Sequence, residues 1–299
     1  MAWFRRSAMT QDVAVVTPLV EGAAALRLKH GSGKPVVSAF SQREGMASLM
    51  AALTELTYDI DARTIPLIAL LGQEHYQTVM VESPTVPEEE LLGALRWKVK
   101  DLVNFSIDDA VVDFMQVPER SGRAPFLYVV AAQGNAIREL AKPYQEADLH
   151  LDVIDVLESA QHNLAMKLAA PEYAVAVLHL GGSSGLLTFS FADGLVLSRR
   201  IEGRNTSGDV LFEKVAMEVQ RSMDYFERQY SWFPLSKLFV APMPAAQAMQ
   251  AKLREYVSIG VDIADLSQLF DLTAVPQLQE PRLQNLAFHM LGAALREAR

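Results

Sequence analysis

Few residues in this chain stand in patterns that could carry chemistry. Gly181-Gly182-Ser183-Ser184-Gly185 matches G-x-S-x-G, the turn that exposes a serine nucleophile in hydrolases. That turn needs a strand before it and a helix after it, because the helix N-terminus helps build the oxyanion hole. Here Leu186–Phe191 reads as a strand, so a hairpin turn is the preferred reading. Ser183 as a nucleophile is kept as a remote alternative. Gly31-Ser32-Gly33-Lys34-Pro35 contains Gly-Lys, but Pro35 stands where a P-loop needs Ser or Thr and Leu28 where it needs its first Gly. It reads as a turn.

The six histidines (His30, His75, His150, His162, His179 and His289) form no H-x-x-x-H or H-E-x-x-H pair, so metal spacing is absent. His179 ends an apolar strand and reads as a packed or rim histidine. Glu88-Glu89-Glu90 suits a helix N-terminus, where negative charge opposes the macrodipole. Asp108-Asp109 falls in a loop, and Asp155 precedes a helix it could cap. Paired catalytic carboxylates stay open beside these structural roles. There is no cysteine, hence no thiolate nucleophile and no disulfide.

The elements that must position these residues follow a repeated order. Val13–Val16, Ala23–Leu28 and Val36–Phe40 read as strands joined by turns, and Arg43–Leu56 has helix spacing. Pro66–Leu71 is a buried strand. The order is β-β-β-α-β. It recurs as strands Tyr173–Leu180, Leu186–Phe191 and Leu195–Ile201, a helix from Asp209 to Tyr230, and a strand Leu238–Val240. Between the copies lies a small α+β segment. It has a strand His75–Glu82 and a helix opened by the capping box Thr85-Val86-Pro87-Glu88. Paired strands Ala110–Val117 and Phe126–Ala132 and a helix Ala136–Ala147 follow. Leu151 and Val153 lead into a helix Leu157–Leu168, and an amphipathic helix Arg282–Glu297 closes the chain.

Composition narrows the class. With 299 residues, half of them hydrophobic, the chain can bury a large core in about two domains. Its 27 Lys+Arg against 36 Asp+Glu give a net charge of −9, which argues against nucleic acid as a partner. No stretch reaches the ~20 apolar residues of a membrane span. Thr10, Gln11 and Asp12 interrupt any signal-peptide core after Met1-Ala2-Trp3-Phe4-Arg5-Arg6. The expectation is a cytoplasmic protein.

A duplicated β-β-β-α-β unit with an α+β insertion in the first copy resembles the actin-like ATPase superfamily, whose FtsA/PilM branch carries its extra subdomain there. Pro84-Thr85-Val86-Pro87-Glu88-Glu89-Glu90-Leu91, then Leu95-Arg96-Trp97, then Asn104-Phe105-Ser106-Ile107-Asp108-Asp109 is similar to the PilM pattern. The run from Glu218 to Gln229 resembles the long helix of the MshI group of mannose-sensitive haemagglutinin (MSHA) pilus proteins, and Leu286 to Arg296 the family's terminal helix. The resemblance implies an α/β actin-like fold of duplicated ribonuclease H-like units. Residues 1–72 would form the first half of core domain 1, 73–151 the insertion, 152–172 a linking helix, and 173–299 the second core domain.

The family places Asp-x-Gly at the first turn of each copy, to hold metal and water at the phosphates. This chain reads His179-Leu180-Gly181 in the second copy and Thr17-Pro18-Leu19 in the first. Gly181, Gly182 and Ser183 are therefore expected as a vestigial phosphate turn, with no catalytic residue, no metal site, and ATP/Mg only weakly supported. The function the resemblance implies is a non-catalytic scaffold of a type IV, MSHA-like pilus platform. It would bind the cytoplasmic tail of a PilN-like membrane protein beside Leu95, Arg96 and Trp97, and reach the inner face of the inner membrane through that partner. The alternative is an active actin-like ATPase whose nucleotide state regulates partner binding.

Overall fold

A computed structural model describes residues 12–20, 22–45, 48–118, 124–181, 184–192, 194–202 and 208–296. Two five-stranded sheets share one strand order. The first runs β3 (Val36–Arg43), β2 (Gly22–Lys29), β1 (Asp12–Leu19), β4 (Leu67–Leu70), β8 (Leu151–Asp155). The second runs β11 (Gly194–Glu202), β10 (Ser184–Phe191), β9 (Ala174–Gly181), β12 (Leu235–Val240), β13 (Gly260–Ile263). In each, the first three strands are antiparallel and the last two add in parallel.

Parallel additions need crossovers, and crossovers cover both faces of a sheet. Alternation along the central strands shows the result. Val13 and Val15 of β1 face the space between the sheets, while Ala14 and Val16 face α1 (Leu49–Asp59). Val175 and Val177 of β9 likewise face inward, and Ala174, Ala176 and Leu178 face α5 (Asp209–Gln229) and α6 (Ala246–Tyr256). The inner layer holds α4 (Leu157–Leu168) and α8 (Pro281–Ala294), packed on each other. The helix α4 follows the first sheet but packs on β9, β10 and β11. The helix α8 follows the second sheet and packs on β1, β2 and β4. A short helix α7 (Leu266–Leu269) precedes α8.

The insertion is a three-stranded antiparallel sheet in the order β5 (Tyr76–Glu82), β7 (Phe126–Gln133), β6 (Ala110–Gln116). One face carries α2 (Glu88–Val99) through Leu95 and Val99, and α3 (Gly134–Glu146) reaches back to the first sheet, where the Tyr144 hydroxyl donates to Val16 O at 2.5 Å. No helix among the described residues is long and apolar enough to cross a membrane.

Four expectations need correction. Leu151–Asp155 is a strand rather than a lead-in, pairing in parallel with β4. α6 and β13 complete the second sheet and were not expected. α1 begins at Leu49, not Arg43: β3 runs on to Arg43, and Ser48 caps the helix by accepting from Ala51 N. No capping box forms at α2. Pro87 is the N-cap and no side chain caps the helix, because Thr85 lies two residues too early; the three glutamates of the first turn face the helix dipole instead.

Candidate functional site

Both turns that would meet phosphate are closed by the strands themselves. In the first half β1 continues through Thr17-Pro18-Leu19, and Leu19 pairs with Gly22 across a two-residue turn. Thr17 is buried, and its hydroxyl is committed within the sheet: it donates to Leu70 O at 3.3 Å and accepts from Leu70 N at 3.2 Å. Pro18 has no N–H to offer an anion. Gly22 is obligatory, since at its φ of +122° a Cβ would sit 1.8 Å from Arg43 O.

In the second half Gly181 pairs with Ser184, so the glycine turn joins two strands. Gly182 and Ser183 lie outside the described residues. The element after Gly185 is β10 and not a helix, so the serine-hydrolase geometry is not built.

His179, at the place of the aspartate, is occupied by its surroundings. Its Nε2 lies 3.2 Å from Asn285 O, and its ring stacks on Phe288 at 5.4 Å and meets His289 edge-on at 4.3 Å. Burial holds the His179 pKa down at about 4, and burial pushes that of His289 well below the ordinary histidine value. Both rings are therefore neutral at pH 7. His289 Nε2 lies 2.9 Å from Gln161 Oε1, and the Gln161 amide donates to Val177 O at 2.8 Å and to Thr188 Oγ1 at 2.9 Å. Asn285 donates to Leu180 O at 3.1 Å and Pro242 O at 2.9 Å.

Beside this network opens a cleft of about 280 Å³, between the ends of β9–β11, the start of α5 and the segment 243–245. Leu180, Ile201, Leu211, Phe212 and Met243 make it apolar, and the described residues lining it include no carboxylate, lysine or arginine. Magnesium takes carboxylate and phosphate oxygens, and a triphosphate needs cations and N–H donors. The described residues of the cleft do not fit Mg-ATP. Asp155, the acid at the end of β8, is 1% exposed and ion-paired to Arg296 at 3.4 Å. Among the described residues no cluster of three His, Asp or Glu could hold a metal.

A second buried polar cluster was not visible in the sequence. Glu158 is wholly buried at the start of α4. The Tyr76 hydroxyl donates to its Oε2 at 2.5 Å, and Arg200 of β11 stands 3.9 Å from Oε1. Arg200 stacks over the Tyr76 ring and donates to Gln73 O and Tyr76 O. Burial raises the Glu158 pKa.

The three residues expected to meet a partner separate on α2. Leu95 is 0% exposed and belongs to the insertion core. Arg96 donates to Ile107 O and Ala110 O, both at 2.6 Å, and so braces the loop after the helix. Trp97 is 73% exposed, with Lys100 Nζ 5.4 Å from its ring centroid. Val86, Leu92 and Leu102 are further exposed apolar side chains in and beside α2.

No protein-family model matches this chain, and no curated protein does. Solved structures do. A PilM–PilN type IV pilus biogenesis complex superposes with a TM-score of 0.73 at 16% identity, covering 95% of this chain and 97% of that one. The cytoplasmic domain of EpsL, an inner-membrane component of the type II secretion system of Vibrio cholerae, gives 0.52 at 14% identity over 96% of each chain. A Bacteroides thetaiotaomicron protein with an actin-like ATPase fold gives 0.51 at 10% identity, over 90% of this chain and 96% of that one. The fold is that of the actin-like ATPases, in its PilM-like form.

Proposed function

We propose, from this fold, that the chain is a non-catalytic assembly component of a type IV pilus or related secretion platform, and that it binds the cytoplasmic tail of a PilN-like membrane protein. The observation that carries the reading is the likeness to the PilM–PilN complex over 95% of the chain. The poor fit of the cleft to Mg-ATP supports the non-catalytic part. In this reading residues 73–151 are the inserted subdomain, and the protein reaches the inner face of the inner membrane through the tail it binds. We take the platform to be of the MSHA type, a reading supported by the resemblance of residues 218–229 to the long helix of the MshI group.

Trp97 is the contact we assign to the partner, with Leu92 and Leu102 beside it. An exposed aromatic is a common anchor, because it buries a large area at small entropic cost. Leu95 and Arg96 support it from behind.

The test is titration of the full chain with a synthetic tail peptide of the PilN-like protein, followed by calorimetry. Saturable binding is expected, with Trp97→Ala weakening it by about tenfold or more, or about 1.4 kcal/mol. The melting temperature of that variant should not change, since Trp97 touches little of the core. Absence of binding by the native chain overturns the reading.

A further inference from the structure

We infer that the place where an actin-like fold would hold Mg-nucleotide is rebuilt in this chain as a fixed polar strut between its two halves, so that the cleft neither takes Mg-nucleotide nor opens and closes.

The strut is α8. Its apolar side, through Ala287, Phe288 and Leu291, packs in the inter-sheet core with Val13, Val15 and Leu26 of the first sheet. Its Asn285 and His289 are bonded toward the second half. Asn285 donates to Leu180 O and Pro242 O, at the ends of β9 and β12, and its own carbonyl meets His179 Nε2. His289 meets Gln161 of α4, and Gln161 is anchored on β9 and β10. α8 thus packs in an apolar core shared by both sheets, Val175 and Val177 of β9 included, and adds directional hydrogen bonds to the second half, with one contact to the first where Ala294 O lies 2.9 Å from His30 Nε2.

Sliding is blocked as well. At the α4–α8 crossing the Gly292 backbone lies so close to Ala160 O that a Cβ would stand 2.0 Å from it, and Asn163 Nδ2 donates to Gly292 O at 2.9 Å. A second tie crosses at the insertion, where Arg200 of β11 donates to Gln73 O and Tyr76 O while Tyr76 donates to Glu158.

A hydrogen bond is lost at full desolvation cost where its donor or acceptor stays buried, as at the His289–Gln161 bond, and at its smaller net worth where water can replace the partner. Opening the halves at the cleft would break the bonds of Asn285, His179, His289 and Gln161 together. A nucleotide could offset that only by binding the open form more tightly than the closed one. The described residues of the cleft supply neither a carboxylate for magnesium nor a cation for phosphate.

The chain has no cysteine, so two can be placed at will. Tyr58→Cys in α1 and Glu227→Cys in α5 put exposed labels on the two halves. Pulsed electron resonance on the labelled full chain then reads the distance between them. One narrow distance is expected, the same with no ligand, Mg-ADP or Mg-ATP, and calorimetry with Mg-ATP should show no binding. A shift of the distance with Mg-ATP, or measurable binding, overturns the inference.

The strut itself is tested by adding Asn285→Ala, which should add a second, longer distance. His289→Phe should do the same, while His289→Gln, which keeps a donor for Gln161, should not. An unchanged narrow distance in both Asn285→Ala and His289→Phe refutes the strut. If Asn285→Ala does not fold, the His289 pair decides. No partner is present in any arm, so a failed tail titration leaves this result untouched.

Discussion

Replacing Gly292 by alanine tests the packing on which the inter-sheet layer depends. An ideal Cβ at that position lies 2.0 Å from Ala160 O, 2.6 Å from its carbonyl carbon and 3.2 Å from its Cα. All three are backbone atoms of α4, so no rotamer change relieves the overlap. The two helices must part by about 1 Å at the crossing, which forfeits a quarter to a half of the dispersion well for the contacts around it. Overpacking of this kind costs about 1–3 kcal/mol, and a backbone-on-backbone clash belongs at the upper end. The bond from Asn163 to Gly292 O, at 2.9 Å, stretches with it, for about 1 kcal/mol more. Against this, alanine recovers about 1 kcal/mol of helix propensity. The net expectation is a loss of about 3 kcal/mol, read as a melting midpoint lower by about 5 °C. The control is Gly93→Ala in α2, where a Cβ meets nothing within 4 Å. There only propensity acts, and the midpoint should rise with about 0.5–1 kcal/mol of added stability. Chemical denaturation of both variants beside the native chain checks the pair. A Gly292→Ala protein as stable as the native chain, or more stable, would refute the account of the α4–α8 contact.

Further outcomes follow from the buried polar groups. His179 has a folded pKa of about 4, below its unfolded value, so its neutral form contributes stability that is full above about pH 6.5 and is lost as pH falls toward 4. Between pH 7 and pH 5 this is about 2 kcal/mol. A His179→Gln chain should lose that much less on acidification, and equal losses in the two proteins would count against a neutral buried ring. Glu158→Ala leaves the Tyr76 hydroxyl without its acceptor and Arg200 without its counter-charge, so urea unfolding should show a loss of about 2–4 kcal/mol. Glu158→Gln keeps an acceptor for Tyr76 and should lose about 1 kcal/mol. A loss as large as that of the alanine variant would refute the role given to that hydrogen bond. Arg96→Ala removes two bonds to the carbonyls of Ile107 and Ala110, so it should lower the melting temperature, whereas Trp97→Ala should not; differential scanning calorimetry separates them.

The parts of the fold that were legible were those where burial on both faces writes a continuous apolar run. β1 and β9 are of this kind, and the long stripe of α5 shows the helical period over 21 residues. The strands that were missed are short and carry acids. β8 reads Leu-Asp-Val-Ile-Asp, and its Asp152 Oδ2 accepts from Leu67 N at 3.0 Å, which docks the strand edge. β13 has four residues, Gly-Val-Asp-Ile, one of which is fully buried, so neither alternation nor a run can be seen in it. α6 is rich in alanine, glutamine and charged residues, and only Ala246, Met249 and Leu253 face the core.

At the candidate site the residue types at the two turns can be read from the sequence, and the groups that meet there cannot. His179 and Thr17 can be placed at the two turns, because strong strands position those turns. The network around His179 cannot be read, because its members are far apart in sequence. Gln161, His179, Asn285 and His289 come from three elements, and no spacing rule joins a glutamine on α4 to a histidine 128 residues later on α8. The crossing of the helices brings them together, α4 leaving the first half to pack on the second sheet and α8 returning to the first. Each half therefore carries the other's helix against its inner face. In the proposed role, partner binding without hydrolysis uses the exchange and not a hinge, and the bonds that Asn285, His179, His289 and Gln161 make across the helices lie beside the turn at Gly181.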